Sequence, residues 1–445
     1  MITASFCIAA LCLSSTAFAA PAAAVASGAA SVNATTPTQT TSAVHATATV
    51  PFISTELNEV LWNSSDPDPN PQAVRGSIGA SIIGPTDNFI TLENPDLLAP
   101  PTTDNGFTQN AKWPFSLSKN RLLTGGWSRQ ENTAVMPFAS KMAGVNMRLT
   151  AGSIRELHWH TSAEWAYVLK GTTQVTAVDS NGKNFIGNVQ AGDLWYFPPG
   201  VPHSLQATAD DPDGSEFLLI FDNADFSDDA TFLLTDWLSH VPVDGTDPAA
   251  FAHIPEEQLY IFPHAPPADG NSSLPVSPNG LVDNPLSFAW SQVAPTQLAG
   301  GSVKIVDSRT FPAATAIAAA DIFVEPGAIR SVSFFWHPTQ DEWGFFLEGQ
   351  GRMTIFASQS ISGTFNYVAG DIAYVPAGMG HYIENTGNTT LHFLEIFNTD
   401  MYQDISLSTW LALTPPDLVK AHLGFDDATM ARLFKSQQIL IAPST

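Results

Sequence analysis

From about residue 113 the chain is written in short apolar runs broken by Gly, Pro, Asn and Asp. In 143–149 the side chains of Ala143, Val145, Met147 and Leu149 alternate with small or polar neighbours. The runs 164–169, 173–178, 193–197 and 216–221 are rich in β-branched and aromatic residues. Such segments, separated by turn formers, predict the strands of an all-β sandwich or barrel. Residues 232–239 then read as a helix, and 241–300, heavy in Pro, Ala and Asn, as a linker and crossover. The strand pattern returns at 322–324, 343–347, 352–356, 372–375 and 391–397, and a helical tail runs from Ser406 to Leu423.

The second set of strands repeats the first. Glu164 to Glu342, Gly171 to Gly349, Gly192 to Gly370 and His203 to His381 are each 178 residues apart, while His160 to His337 is 177. One offset kept across four anchors marks a tandem duplication. The expected organisation is a signal peptide (1–19), a low-complexity leader (20–50) and irregular wrapping (51–112). A first barrel domain (113–240), the linker (241–300), a second barrel with C-terminal helices (301–425) and a tail (426–445) follow.

Composition narrows the picture. The apolar, uncharged start ends in Ala17-Phe18-Ala19, which predicts a secretory signal cleaved after Ala19. Both cysteines, Cys7 and Cys12, fall inside it, so the mature chain is expected to lack disulfides, thiolate metal sites and cysteine nucleophiles. The sequence has no apolar run long enough to span a bilayer, and its formal charge of −25 argues against nucleic acid or anionic lipid as partner. Secretion would expose the sequons at Asn33, Asn63, Asn271 and Asn388 to glycosylation.

The chemistry gathers in the first repeat, where Arg155, His158, His160 and Glu164 precede Gly192-Asp193 and Pro198 to His203. Alternate residues of a strand share a face, so His158 and His160 are expected inside the barrel with Trp159 outside. Glu164 can reach the same centre from the next strand, and His203 from a distant one behind a rigid Pro-rich turn. Arg155 joins them only if a bulge or bend intervenes. Three imidazoles and a carboxylate leave two positions open on an octahedral ion. This sulfur-free donor set suits Mn(II) or Fe(II), with Zn or Cu as adventitious alternatives.

In the second repeat His337, Glu342 and His381 remain, the residue types of a facial triad, but Phe335 stands where the first histidine belongs. Two alignments are open. Val332 replaces the arginine, or Arg330 is its counterpart with two residues inserted before His337.

These motifs, with Gly192–Pro198, Thr235–Leu238, Val324–Ala328, Met353–Ser358, Thr364–Tyr367 and Gly380–Tyr382, resemble the bicupin oxalate decarboxylases and oxalate oxidases from about Pro114 to Phe425. The resemblance implies two tandem double-stranded β-helix (jelly-roll) barrels with short helices after each. It also implies a secreted enzyme acting on oxalate with Mn(II) and dioxygen, assembled as trimers or hexamers. His158, His160, Glu164 and His203 would hold the metal, and Arg155 would pair with a substrate carboxylate through its bidentate fork. After loss of CO2 the remaining fragment is protonated to formate by a decarboxylase or oxidised further, with peroxide, by an oxidase.

In the decarboxylases this choice depends on a mobile loop reading Ser-Glu-Asn-Ser. Here the matching stretch is Ser227-Asp228-Asp229-Ala230, so Asp228 would be the proton donor on a side chain one methylene shorter. Glu395 occupies the place of a proton-relay carboxylate in the second barrel. That barrel is expected to be catalytically degraded, with His337, Glu342 and His381 as a weak or empty metal site. Oxalate oxidase is the nearest alternative. A metal-binding cupin acting on another small carboxylic acid is a second, and a non-enzymatic cupin of the seed-storage type a third, disfavoured by the complete ligand set.

Overall fold

The computed structural model describes residues 103–239, 273–436 and 439–441. The expected signal and leader, the wrapping segment up to residue 102, residue 240, linker residues 241–272 and tail residues 437–438 and 442–445 lie outside the described residues, and with them the sequons at Asn33, Asn63 and Asn271. Among the described residues no helix is long and apolar enough to cross a membrane.

The first barrel is two facing antiparallel sheets. One runs, in spatial order, Ser287–Phe288, Leu194–Phe197, Glu164–Lys170, Ser215–Phe221, Ala143–Leu149, Gly126–Glu131 and Arg121–Leu123. The other runs Phe232–Leu233, Ile154–Trp159, His203–Ala207, Thr172–Val178 and Asn184–Gln190. The second barrel repeats this plan. Lys112–Pro114, Asp371–Val375, Glu342–Glu348, Leu391–Phe397, Ala318–Val324, Gly301–Val306 and Thr296–Leu298 face Ser362–Val368, Gln350–Phe356, Gly380–Asn385, Ile329–Trp336 and Ile405–Ser406.

The long apolar runs of the larger sheets have a packing cause. In Leu391–Phe397, Phe393 and Phe397 fill the second barrel while Leu394 and Ile396 join a cluster shared with the first barrel, which includes Trp165, Ile220, Trp343 and Tyr374. A strand buried on both faces loses its apolar–polar alternation. The sheets approach so closely that a Cβ on Gly144 would lie 2.3 Å from the Trp343 ring.

Each barrel is also edged by a strand from outside its own span. Lys112–Pro114, which precedes the first barrel, pairs with Asp371–Val375 of the second, and Lys112 Nζ lies 2.9 Å from Asp371 there, both side chains buried. Ser287–Phe288 pairs back onto Leu194–Phe197 of the first barrel.

The helix expected over 232–239 is shorter than the pattern suggests. Phe232–Leu233 extends the sheet beside Trp159 and His158, and only Leu234–Ser239 is helical. Stacking of Phe232 on Trp159, 5.5 Å between centroids at 9°, holds the first two residues extended. In the tail, the Ser406 hydroxyl caps Leu407–Leu413 by accepting from the Thr409 amide, and Pro416–Leu423 ends at Gly424 with φ 70°.

Candidate metal centre

His158, His160, Glu164 and His203 converge inside the first barrel, each buried, with one potential ligand atom apiece within 4.8 Å of the others. His158 and His160 point inward from either side of Trp159, whose ring packs outside against Phe232 and Trp237. Each imidazole donates its Nδ1 proton to a backbone carbonyl: His158 to Glu156 at 2.6 Å, His160 to Ser162 at 2.8 Å and His203 to Val201 at 2.8 Å. The Nε2 lone pairs are thereby left facing the centre.

Glu164 is fixed from behind. Trp195 Nε1 donates to its Oε1 at 2.8 Å, which turns Oε2 toward His160 Nε2 at 3.2 Å and His203 Nε2 at 3.6 Å. Burial pushes the Glu164 carboxyl up, but the neighbouring His160 and His203 rings outweigh it and hold it well below the usual range. Burial, with the charges of His203 and Arg155, pushes the His158 imidazole well below its ordinary value, and burial likewise lowers His203. An ionised carboxylate beside two imidazoles, His158 and His203, that resist protonation is the donor state a divalent cation requires. His203 Nε2, buried with no hydrogen-bond partner, is an orphan that a metal ion would satisfy. The residues fit the group.

The bend needed to aim Arg155 inward is present. His203 pairs with His158 but Leu205 pairs with Arg155, a register shift between the two. Arg155 is 2% exposed, and its Nη2 lies 3.6 Å from Asp228 Oδ1. Asp228 opens a short 3₁₀ turn, Asp228–Ala230, and is itself buried. Its amide donates to Gln130 Oε1 at 3.1 Å and its Oδ2 accepts from Ser128 Oγ at 2.8 Å. Asp229 points outward and meets Arg121 at 3.0 Å.

In the second barrel, strand pairing decides between the two alignments. Phe335 pairs with His381 as His158 pairs with His203, and Arg330 pairs with Ile383 as Arg155 pairs with Leu205. Arg330 is therefore the counterpart of Arg155, with two extra residues in the bulge, and the reading that put Val332 in that place is corrected. His337, Glu342 and His381 do cluster, both Nε2 atoms lying 3.0 Å from Glu342 Oε2.

Much else around them differs from the first barrel. Phe335 is fully buried with its ring 4.0 Å from that of His381, and the Arg330 guanidinium lies 4.4 Å from the Phe335 centroid. Arg330 is locked by Glu395 through two bonds of 2.9 and 2.8 Å and by the Tyr402 hydroxyl at 2.9 Å. Glu395, the relay carboxylate of the sequence reading, is thus held in an ion pair. Trp195 has Ala373 as its repeat counterpart, and Glu342 Oε1 is left without a partner. Burial alone would lower His337, but its hydrogen bond and charge interaction with Glu342 outweigh this and raise it. A metal would have to displace that proton.

Trp195, Ser128 and Tyr402 escaped the sequence reading. Their partners lie 31, 100 and 72 residues away, and no local spacing connects them.

Comparison with known proteins places this geometry among relatives. The cupin family model matches residues 118–250 and 292–431. The chain is 45% identical over 359 residues to oxalate decarboxylase OxdC of Bacillus subtilis (strain 168), covering 79% of this chain and 92% of that protein. It is 36% identical over 381 residues to a probable oxalate decarboxylase of Arthroderma benhamiae, covering 82% and 91%. A solved structure of the Bacillus subtilis enzyme, from work on its Mn(II) centres, superposes with a TM-score of 0.76 at 43% identity, covering 84% of this chain and all of that one.

Proposed function

The chain belongs to the bicupin oxalate decarboxylase family, and from that premise we propose that it splits oxalate into formate and CO2 in its first barrel, with Mn(II) held by His158, His160, Glu164 and His203 and dioxygen as co-catalyst. One observation carries the reading: a buried arginine fork and a buried carboxylate, Arg155 and Asp228, meet beside a four-donor cluster.

A bound Mn(II) would supply coordination sites for the substrate carboxylate and dioxygen and the one-electron chemistry that weakens the C–C bond. Arg155 binds one carboxylate of oxalate through paired N–H donors and sets its orientation. Asp228 takes the proton of the oxalate monoanion and returns it to carbon after CO2 departs, so the overall change, HC2O4⁻ → HCO2⁻ + CO2, is redox-neutral. Burial of the four donors, Arg155 and Asp228 limits the water that would otherwise compete for that carbon.

The oxidase reading draws on the short side chain of Asp228. Failed protonation would divert the fragment to a second CO2, with HC2O4⁻ + O2 + H⁺ → 2 CO2 + H2O2. The second barrel, with Phe335 in a ligand position and Arg330 tied to Glu395, is read as weakly metallated or empty. We further place the protein outside the cell after cleavage following Ala19, with Asn388 on an exposed turn as a glycan acceptor. Its homo-oligomer, trimer or hexamer, is assembled through the C-terminal helices.

The test is direct. The mature protein, loaded with Mn(II), is given oxalate under air at mildly acidic pH, and formate and peroxide are quantified together. Near-stoichiometric formate supports the decarboxylase; peroxide with little formate replaces it by the oxidase. Neither product from metal-loaded protein removes oxalate as the substrate.

A further inference from the structure

Asp228 cannot hold its own position. Its carboxylate lies 3.6 Å from Arg155, beyond ordinary hydrogen-bond reach, and the turn that carries it is three residues long. Neighbouring strands supply the support. Gln130 accepts the Asp228 amide, Arg121 holds Asp229, and Ser128 Oγ donates to Asp228 Oδ2 at 2.8 Å. Of these three groups only Ser128 touches the carboxylate.

Ser128 is 2% exposed, yet it lines, together with Asp228 itself, a cavity of about 520 Å³ whose walls include Lys119, Arg121, Arg129 and Gln130. Its hydroxyl, bonded to Asp228 Oδ2, therefore sits with that residue at the wall of a polar, cation-rimmed space. This matters when oxalate arrives as the dianion, because C2O4²⁻ + H⁺ → HCO2⁻ + CO2 draws one proton from solvent per turnover. Asp228 must then be reprotonated from outside the barrel.

We propose that Ser128 is the positioning residue of Asp228, aiming its carboxylate at the substrate while the Lys119–Arg121–Arg129 cavity, which Asp228 also lines, admits the solvent proton. The assignment rests on the oxalate decarboxylase reading for its chemistry, and on geometry alone for the position of Asp228.

The experiment compares wild type with Ser128→Ala and Ser128→Thr, the latter keeping the hydroxyl on a β-branched side chain suited to a strand. Ser128→Ala is expected to lose formate production about ten- to a hundred-fold, with a larger share of peroxide and the deficit widening as pH rises and the dianion predominates. Oxalate KM and Mn(II) stoichiometry are expected to stay at the wild-type level, and Ser128→Thr to restore both rate and product ratio. In a crystal structure of metal-free Ser128→Ala, the Asp228 carboxylate is expected to have turned away from Arg155. Wild-type rate and partition in Ser128→Ala, or a loss that Ser128→Thr does not restore, overturns the proposal. If wild type yields neither product, the oxalate reading fails by itself. The crystallographic arm then decides the positioning role: a displaced Asp228 upholds it, an unmoved one ends it.

Discussion

Trp195 and Glu164 illustrate how one hydrogen bond orients a ligand. The indole fixes one carboxylate oxygen and so presents the other to the histidines. Trp195→Phe is expected to lower first-site metal affinity about 10- to 100-fold, measured by metal titration of apoprotein, with the fold retained. Asp228→Asn keeps the shape of the turn but removes the acid. Formate turnover should fall about 10²- to 10⁴-fold while bound Mn(II) is unchanged, read from paired product and metal assays. In the second barrel, Phe335→His restores the missing donor and should raise Mn(II) from about one to about two per chain, counted by elemental analysis. The ligands themselves could be read from the sequence, because period-two alternation and Gly-Pro turns fix which face a histidine occupies. Trp195 could not, since its value lies in a contact between strands.

At the scale of elements, the shift in ligand register between the barrels sits in one strand. Ile154–Trp159 has six residues where Ile329–Trp336 has eight, and the excess is absorbed in a bulge between Arg330 and Phe335. The sequence repeat left two alignments because an insertion and a substitution look alike without the partner strand. Gly380–Asn385 settles it.

Between the barrels, Trp343 Nε1 donates to Glu131 Oε2 at 2.8 Å across the shared core. Burial pushes the Glu131 carboxyl up to about 8, against the opposing Trp343 bond. The folded value lies above the ordinary 4.5. Stability is therefore complete below that pH and is lost progressively as pH rises through 8. Glu131→Gln keeps an acceptor for the indole without the ionisation. It should flatten this dependence and stabilise the protein at pH 8 by up to a few kcal/mol, checked by denaturant unfolding at pH 5 and 8.

For the whole molecule, the barrels are interlocked rather than strung together. Lys112–Pro114 is laid onto the second barrel before the chain builds the first, and Ser287–Phe288 returns to the first before the chain builds the second. Lys112 and Asp371 are both almost fully buried, so Lys112→Ala leaves a charge stranded. A loss of about 3–5 kcal/mol is expected, measured from the denaturant midpoint, with both barrels weakened because they share one apolar cluster.

The sequence by itself determined the duplication, the β architecture and the four donors that cluster in the first barrel. All three are written in spacing along the chain: alternation within strands, turn residues between them, and one offset linking the copies. Tertiary structure alone decided that Arg330 matches Arg155, that Glu395 is held in an ion pair, and that Ser128 and Trp195 donate to Asp228 and Glu164. Those relations join residues on strands far apart in the chain, and only the pairing register and the closing of each barrel bring them within bonding distance.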